Sequence, residues 1–179
     1  MTCWRNKRLR SGYIRSILTW CDMAERSAKL RTLDIPNACC SNCATMSDRK
    51  LELGADDYCF ACGGSNPIGL KLDFKKVNGE YVAEFTPRRE HQGYVGVTHG
   101  GIIATILDEA ITRFAWAEGN NAVTAAMTVR FRRPVPTGIK LLVVGRLIED
   151  NGRTIQGESE IRDEEGRLLA DATATLVRV

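Results

Sequence analysis

The sequence predicts an α+β domain in which an antiparallel β-sheet wraps around one long α-helix. Two observations carry this prediction. One stretch, from residue 100 to about residue 118, has the apolar spacing of a helix, and strand-like segments lie before and after it. The order of two strands, one helix and then four strands in a meander is typical of an antiparallel sheet packed on a helix.

Two short strands are predicted before the helix. Residues 70–76 and 80–85 flank Asn78-Gly79, a dipeptide that favours the tight turn of a β-hairpin because both residue types tolerate a positive φ. Residues 86–97 contain a proline and two glycines, so we expect a loop there.

The helix is predicted to begin at Gly100 and to run for about five turns, to about Glu118. Gly119-Asn120-Asn121 then ends it. Its apolar residues recur at intervals of three and four: Ile103, Ile106, Leu107, Ala110, Ile111 and Phe114. Because these positions cover most of the helix surface, we expect nearly every side of the helix to be buried.

Four strand-like segments follow the helix, at residues 122–131, 140–149, 154–162 and 168–178. Turn residues separate them at 134–138, at Asn151-Gly152 and at Glu165-Gly166. If side chains alternate strictly along the first of these strands, Thr124 lies on the face opposite to Met127 and Val129.

The composition is that of a globular domain with a basic appendage. Of the 179 residues, 44% are hydrophobic and 26% are charged. Residues 1–45 hold eight Lys or Arg against three Asp or Glu, whereas the rest of the chain holds 17 against 19. The net charge of +3 therefore belongs to the tail. We expect neither nucleic acid nor a membrane as a partner, because the remainder is not basic and no apolar run has the length of a membrane span.

Two interpretations of residues 1–45 stay open. The segment is rich in Arg, and Ile14, Ile17, Leu18 and Cys21 recur at helical spacing, as in a mitochondrial targeting segment. Alternatively, Met46 is the true start and the preceding residues are not made in the cell. We favour the second interpretation, and we expect this tail to be disordered or not native.

Four of the seven cysteines form a pattern that suits zinc. Cys40-x-x-Cys43 and Cys59-x-x-Cys62 are separated by 15 residues, the spacing of a four-thiolate site, so a zinc-ribbon interaction protein is one alternative. Free cysteines are more often small buried hydrophobes, and we expect no metal. An odd number of cysteines without a secretory signal favours reduced thiols in a cytosol-like compartment.

The start of the helix carries the most informative residues, which are His99-Gly100-Gly101 and, further along, Asp108. An acid within an apolar helix must be desolvated, and this cost indicates a use for it. Glycines at the helix start let a ligand approach backbone N–H groups, which favour negative charge there. An acid and an anion-stabilising helix start together suit the hydrolysis of an activated acyl group. The adjacent Glu109 points about 100° away, and we expect it to meet water or Arg113.

These residues resemble a known family. His99-Gly100-Gly101 with Asp108, the run Ala122-Val123-Thr124 and the run 132–138 are similar to the hotdog-fold acyl-CoA thioesterases of the phenylacetate-degradation (PaaI) type. Two further runs resemble the opening of many members of that superfamily: Cys59-Phe60-Ala61-Cys62-Gly63 and Asn66-Pro67-Ile68-Gly69-Leu70. The resemblance implies a hotdog thioesterase domain, which we place at residues 46–179. It also implies hydrolysis of acyl-CoA to a free acid and coenzyme A, without a cofactor, by a homodimer or homotetramer.

The resemblance also implies roles in the reaction. Asp108 would act as the general base for a water molecule or as the nucleophile. Gly100 would donate its backbone N–H to the developing oxyanion, and we expect His99 to orient the loop. Thr124 matches a Ser or Thr that holds the nucleophilic water or the acid, although a threonine chosen for its β-propensity fits the strand equally well.

Substrate-binding residues are expected at the helix start, in the loop before it and at the end of a later strand. Gly101 would allow the ligand to approach, and Gln92 is the candidate for a second contact with the carbonyl. Arg130, Arg132 and Arg133 cluster at the end of a strand and are candidates for binding the phosphates of coenzyme A.

The spacing of the two reactive groups predicts a site shared between chains. Gly100 and Asp108 lie about 12 Å apart along one helix, which is too far for both to serve one thioester. If both act, they come from two chains whose helices run antiparallel across a two-fold axis. The alternative function is a hotdog protein that binds acyl-CoA or an acyl carrier without catalysis. We expect a cytoplasmic protein, or a mitochondrial one if the basic tail is genuine.

Overall fold

The structure, a computed structural model, describes residues 53–54 and 57–179. The predictions for the tail 1–45, including its helical spacing and its possible targeting role, lie outside the described residues. The same holds for Cys40 and Cys43, which form one half of the predicted four-thiolate pattern.

One α-helix, one short 3-10 helix and eight strands are the regular elements of the described part of the chain. The bounds of the strands and the α-helix are β1 (Lys75–Val77), β2 (Glu80–Phe85), β3 (Gln92–Tyr94), β4 (Val97–Thr98), α1 (Gly100–Ala117), β5 (Ala122–Phe131), β6 (Leu141–Asp150), β7 (Thr154–Arg162) and β8 (Leu168–Arg178). The predicted α+β class, with one helix against an antiparallel sheet, is confirmed. Within this part of the chain, no helix combines the length and the hydropathy that crossing a membrane requires.

Six of the strands form one sheet in the order β1-β2-β6-β7-β8-β5, and all neighbours are antiparallel. The last three strands form the predicted meander. The prediction that β5 opens this meander is wrong, because β5 lies beside β8 at the far edge of the sheet. Nine residues separate β5 from β6, more than a tight hairpin uses, so the chain crosses to the other side instead.

The helix α1 packs on the concave sheet through side chains that are completely buried, such as Ile106, Leu107 and Ile111. Two glycines of the sheet allow this close approach. A Cβ atom on Gly145 would lie 2.2 Å from the carbonyl oxygen of Ala110, and one on Gly157 would lie 2.3 Å from a methyl carbon of Ile111. The helix is therefore fixed against the sheet, and the side chains on its remaining faces have defined positions.

The segments before the helix depart from the predictions. The first strand is limited to Lys75–Val77, and the backbone N–H groups of Leu70 and Leu72 instead donate to the carbonyls of Phe60 and Ala61 at 2.8 and 2.9 Å. The burial of both leucines explains why their run appeared strand-like in the sequence.

The hairpin turn after β1 is confirmed, with φ values of 50° at Asn78 and 85° at Gly79. The predicted loop 86–97 is more ordered than expected. It contains a 3-10 helix at Arg89–His91 and most of the two-stranded ribbon of β3 and β4.

Candidate active site

The start of α1 is closed by the side chain of His99. This residue is the N-cap, with an extended backbone at φ −62° and ψ 135°, and its Nδ1 atom accepts the N–H of Gly101 at 2.9 Å. The backbone N–H of His99 itself donates to the carbonyl of His91 at 2.8 Å. These two bonds hold the helix start in place, which is the geometry that an orienting role for His99 requires.

Gly100 and Gly101 differ in what their N–H groups do. Gly101 uses its N–H for the bond to His99, whereas the N–H of Gly100 enters no hydrogen bond within the described part of the chain. Gly100 also lines a surface cavity of about 400 Å³, and Gly101 is not one of its lining residues. A free donor at a helix N-terminus that faces a cavity can stabilise a negatively charged atom there.

The cavity beside Gly100 combines apolar and cationic walls. Tyr94, Ile103 and Phe131 supply apolar surface, and Arg132 and Arg133 also line it. Its volume lies within the range of small-molecule sites. Tyr94 and Phe131 are largely exposed, at 83% and 58%, so this wall is open on the side away from the core.

The three predicted arginines are in different electrostatic situations. Arg132 binds Asp171 at 2.5 Å and Arg130 binds the same carboxylate at 3.4 Å. The hydrogen bond from Arg132 is the main reason why the pKa of Asp171 lies below its ordinary value. Arg133 forms no ion pair with any acid in the described residues, and unlike Arg130 it lines the cavity. Arg133 is thus the cation that an incoming phosphate would meet without competition.

Asp108 and Thr124 are brought together by the fold. The hydroxyl of Thr124 on β5 donates to Oδ1 of Asp108 on α1 at 2.7 Å. The acid is only partly exposed, and no cation of the described residues lies within ion-pair distance of it. The second oxygen, Oδ2, accepts no hydrogen bond in this part of the structure. The carboxylate is therefore oriented by one hydroxyl and keeps an oxygen available for chemistry.

A β-bulge explains how Thr124 reaches the helix. In the pairing of β5 with β8, Thr124 is opposite Leu176 and Ala126 is opposite Thr175, so Ala125 is an extra residue. The extra residue reverses the alternation of side chains along the strand. Thr124 therefore shares the inner face with Met127 and Val129, which pack against the core, and the prediction of opposite faces is wrong.

Gln92 has a structural contact rather than a place at the cavity. Its Oε1 atom accepts the N–H of Gly96, in the turn between β3 and β4, at 3.3 Å, and Gln92 does not line the cavity beside Gly100. The described structure brings together His99, Gly100 and two arginines at one end of α1, and Asp108 with Thr124 two turns further along. It does not bring these two groups to each other within one chain, because about 12 Å of helix separate them.

Glu109 has a partner that sequence reasoning missed. Instead of facing only water or Arg113, its carboxylate lies beside the thiols of Cys59 and Cys62, with the three donor atoms within 4.8 Å of one another. Burial raises the pKa of Glu109, and burial together with the nearby Glu109 carboxylate raises the pKa of the Cys62 thiol far above its ordinary value. No local pattern links residues 59–62 to the third turn of a distant helix, so only the tertiary structure reveals this cluster.

Comparison with known proteins finds a likeness to one superfamily over part of the chain. Residues 95–170 match the family model of the thioesterase superfamily. The acyl-coenzyme A thioesterase THEM4 of Xenopus laevis is 28% identical over 107 residues, which are 59% of this chain and 48% of that protein. The chain spans about half the length of the curated relatives that it matches first.

Solved structures share the architecture. A thioesterase superfamily protein of known crystal structure superimposes with a TM-score of 0.65 at 24% identity, over 68% of this chain and 60% of that one. The PaaI protein from the phenylacetic acid degradation operon of E. coli gives a TM-score of 0.57 at 23% identity, over 61% of this chain and 84% of its own. The chain therefore has the hotdog fold, and its residues 95–170 are similar to the thioesterase superfamily, in agreement with the resemblance to the PaaI-type enzymes.

Proposed function

We propose that this protein hydrolyses acyl-CoA thioesters to a free acid and coenzyme A. The observation that carries the proposal is the pair of chemical groups on α1. One is a carboxylate oriented by Thr124 with one oxygen to spare, and the other is an unengaged N–H of Gly100 at a cavity. Attack on a thioester needs a base that activates the attacking water and a donor that stabilises the oxyanion. The name of the frog relative, an acyl-coenzyme A thioesterase, supports the same substrate class.

Asp108 acts on water or on the thioester itself. As a general base, Oδ2 of Asp108 accepts a proton from a water molecule while the water oxygen bonds to the thioester carbon. The N–H of Gly100 stabilises the negative charge that forms on the carbonyl oxygen. The C–S bond then breaks, and the leaving thiolate of coenzyme A takes up the proton. As a nucleophile, the same oxygen would instead bond to the thioester carbon while the C–S bond breaks and coenzyme A leaves as a thiolate. Water would then hydrolyse the resulting acyl-enzyme anhydride to the free acid and the Asp108 carboxylate, and the proton released would pass to the thiolate.

The two groups act together across a dimer interface. A carbonyl carbon and its oxygen are about an ångström apart, whereas Gly100 and Asp108 of one chain are about 12 Å apart. Antiparallel pairing of two α1 helices places Asp108 of one chain beside the helix start of its mate, which gives two equivalent sites. The edge strand β5 supports such pairing, because it is ten residues long and leaves one row of backbone groups unpaired within the described sheet. The assembly is a homodimer, or a homotetramer built from such dimers.

The phosphates of coenzyme A bind at the arginine-lined side of the cavity. Arg133 makes the principal contact since it has no acidic partner in the described residues, and Arg132 contributes less because Asp171 already neutralises it. Gln92 and Gly101 have no assigned contact in this proposal, since both already use polar groups within the fold.

A panel of acyl-CoA esters with short, long and aromatic acyl groups tests the proposal. Release of coenzyme A and free acid is followed by chromatography, which avoids thiol reagents that would react with the protein's own cysteines. Hydrolysis by the wild type and its loss in Asp108→Asn are expected. Binding of acyl-CoA without turnover would identify a non-catalytic carrier of the same fold, and unchanged turnover in Asp108→Asn would remove that residue from the mechanism.

A further inference from the structure

Two cysteines and one glutamate form a compact cluster that shares no residue with the Asp108–Thr124 pair. Cys59 and Cys62 lie in the turn 59–63, and the N–H of Gly63 donates to the carbonyl of Cys59 at 2.8 Å and closes that turn. A side chain at Gly63 would not fit, because its Cβ atom would lie 2.4 Å from the nitrogen of Cys59. This tight turn presents both sulfurs to Glu109 on α1, and the three donor atoms lie within 4.8 Å of one another.

One cation, Arg113, lies near the cluster but outside ion-pair distance of the carboxylate. No Lys, Arg or His of the described residues lies within ion-pair distance of the Glu109 carboxylate, although the residue is partly buried. The Cys62 thiol shares a hydrogen bond with this carboxylate, and deprotonation of both thiols beside it would be unfavourable unless a further cation balances the charge. Arg113, one turn further along the helix, acts on Glu109 only at a longer distance.

The spacing of the donors suits a tetrahedral metal ion. Zinc binds sulfur at about 2.3 Å and carboxylate oxygen at about 2.0 Å, so two sulfurs on one tetrahedral ion are roughly 3.8 Å apart. The donor atoms lie within 4.8 Å of one another, so they must approach one another by up to about an ångström to bind one ion. Side-chain rotations provide this movement. Thiolate ligands select zinc and similar ions over magnesium and calcium, which prefer oxygen.

The cluster has room for a further ligand. A second cavity, of about 190 Å³, is lined by Cys59, Cys62 and Glu109, and its other walls include Arg113 and Trp116. A water molecule needs far less space than this, so a fourth position on the ion can be filled from solvent.

We propose that Cys59, Cys62 and Glu109 bind one zinc ion whose fourth position is taken by water. Binding deprotonates the two thiols, so two protons are released to solvent for each ion bound. The ion fastens the turn 59–63 to α1 at the residue that follows Asp108, and it stabilises the contact between this segment and the helix. The site is independent of thioester hydrolysis, because none of its ligands takes part in that reaction. It differs from the four-cysteine pattern in the sequence by using a glutamate from the helix.

Cobalt titration of the full-length reduced protein tests the site. After treatment with a chelator, one Co²⁺ per chain is expected to bind, with a thiolate-to-cobalt absorption band and the visible bands of a four-coordinate ion, and Zn²⁺ should displace it. Cys59→Ser and Cys62→Ser should abolish the thiolate signature of the wild type. Glu109→Gln should weaken binding by roughly tenfold or more. Glu118→Gln is the matched control, since it removes an acid of the same helix region that pairs with Lys76.

Two further measurements distinguish the proposed site from a site made of four thiolates and from misfolding of the variants. The double variant Cys40→Ser/Cys43→Ser should bind cobalt as the wild type does. Loss of binding in this double variant, together with unchanged binding in Glu109→Gln, would show a four-thiolate site and overturn the assignment of Glu109. Failure of the wild type to bind cobalt through thiolates would overturn the whole proposal. Melting temperatures in chelator check that the variants fold, and Glu109→Ala, which also removes the carboxylate, replaces Glu109→Gln if that variant does not.

Discussion

Subunit complementation offers a direct test of the shared site, using one variant for each half. Asp108→Asn removes the base, with an expected loss of about 10²- to 10⁴-fold in kcat. Gly100→Pro removes the N–H donor, with an expected loss of about 10²- to 10³-fold. Proline suits this position because Gly100 is the first residue of α1 and His99 before it has the extended backbone that proline demands.

The expected magnitude follows from the geometry of two antiparallel helices. Each site of the dimer takes Asp108 from one chain and Gly100 from the other. A heterodimer with Asp108→Asn in one chain and Gly100→Pro in the other therefore has one site with both defects and one site with none. Its activity per dimer should be about half that of the wild type, although both parent homodimers are nearly inactive. If each chain used its own pair of groups, neither site would be intact.

The heterodimer can be isolated by co-expressing the two variants with different affinity tags and purifying on both. Gly100→Ala is the matched control, because it keeps the N–H and its Cβ atom would lie at an ordinary 3.5 Å from the ring of Phe131. This control should retain most of the activity. A heterodimer as inactive as its parents, or a fully active monomeric wild type, would refute the shared site.

Three further outcomes are expected. Thr124→Ala should lower kcat by roughly 10- to 100-fold, because it removes a 2.7 Å hydrogen bond to the charged Asp108, and in the Asp108→Asn background it should have little further effect. Arg133→Ala should raise KM for acyl-CoA, but not for a short thioester without a phosphate, because the guanidinium is proposed to bind the phosphates. Asp150→Asn should lower the melting temperature near neutral pH but not at about pH 2, as hydrogen bonds from Arg178 lower the pKa of Asp150 from 3.8 to about 2. The folded state holds this carboxylate ionised, so its stabilising contribution is present above the unfolded pKa and disappears as the pH falls through the folded value.

Each of these outcomes has a control. Thr124→Ser keeps the hydroxyl and should restore much of the activity, so an inactive Thr124→Ser would point to packing rather than hydrogen bonding. Arg153→Ala, in the turn between β6 and β7, should leave KM unchanged, and an equal rise of KM for both thioesters in Arg133→Ala would contradict phosphate binding. Glu149→Gln, next to Asp150 in β6, should show no such dependence of the melting temperature on pH. A constant stability loss in Asp150→Asn over the whole pH range would contradict the linkage argument.

The local elements of this domain could be read from the sequence because they depend on short-range patterns. The helix was predicted from residue 100 to about 118 and spans Gly100–Ala117, and the strands Ala122–Phe131, Thr154–Arg162 and Leu168–Arg178 coincide with their predictions. Periodicity of apolar side chains and turn residues specify such elements without reference to the rest of the chain.

The position of β5 and the direction of Thr124 depended on tertiary structure. Nothing local distinguishes a strand that starts a meander from one that crosses to the far edge, because the choice depends on which edge is left free by the other strands. The sequence also gives no sign that Ala125 is an extra residue, because a bulge arises from the mismatch between two paired strands. Without this bulge, Thr124 would turn away from Asp108.

Residue type and local spacing were enough to identify the groups with suitable chemistry: an acid in an apolar helix, glycines at the helix start and arginines at a strand end. The partners of these groups follow only from the tertiary structure. In it, Thr124 hydrogen-bonds Asp108, Glu109 lies beside the two cysteines, and Gly100 lies two turns away from Asp108. The reason is that residue type and local spacing set the reactivity and the element of each group, whereas contacts between distant elements follow only from how the helix and sheet pack.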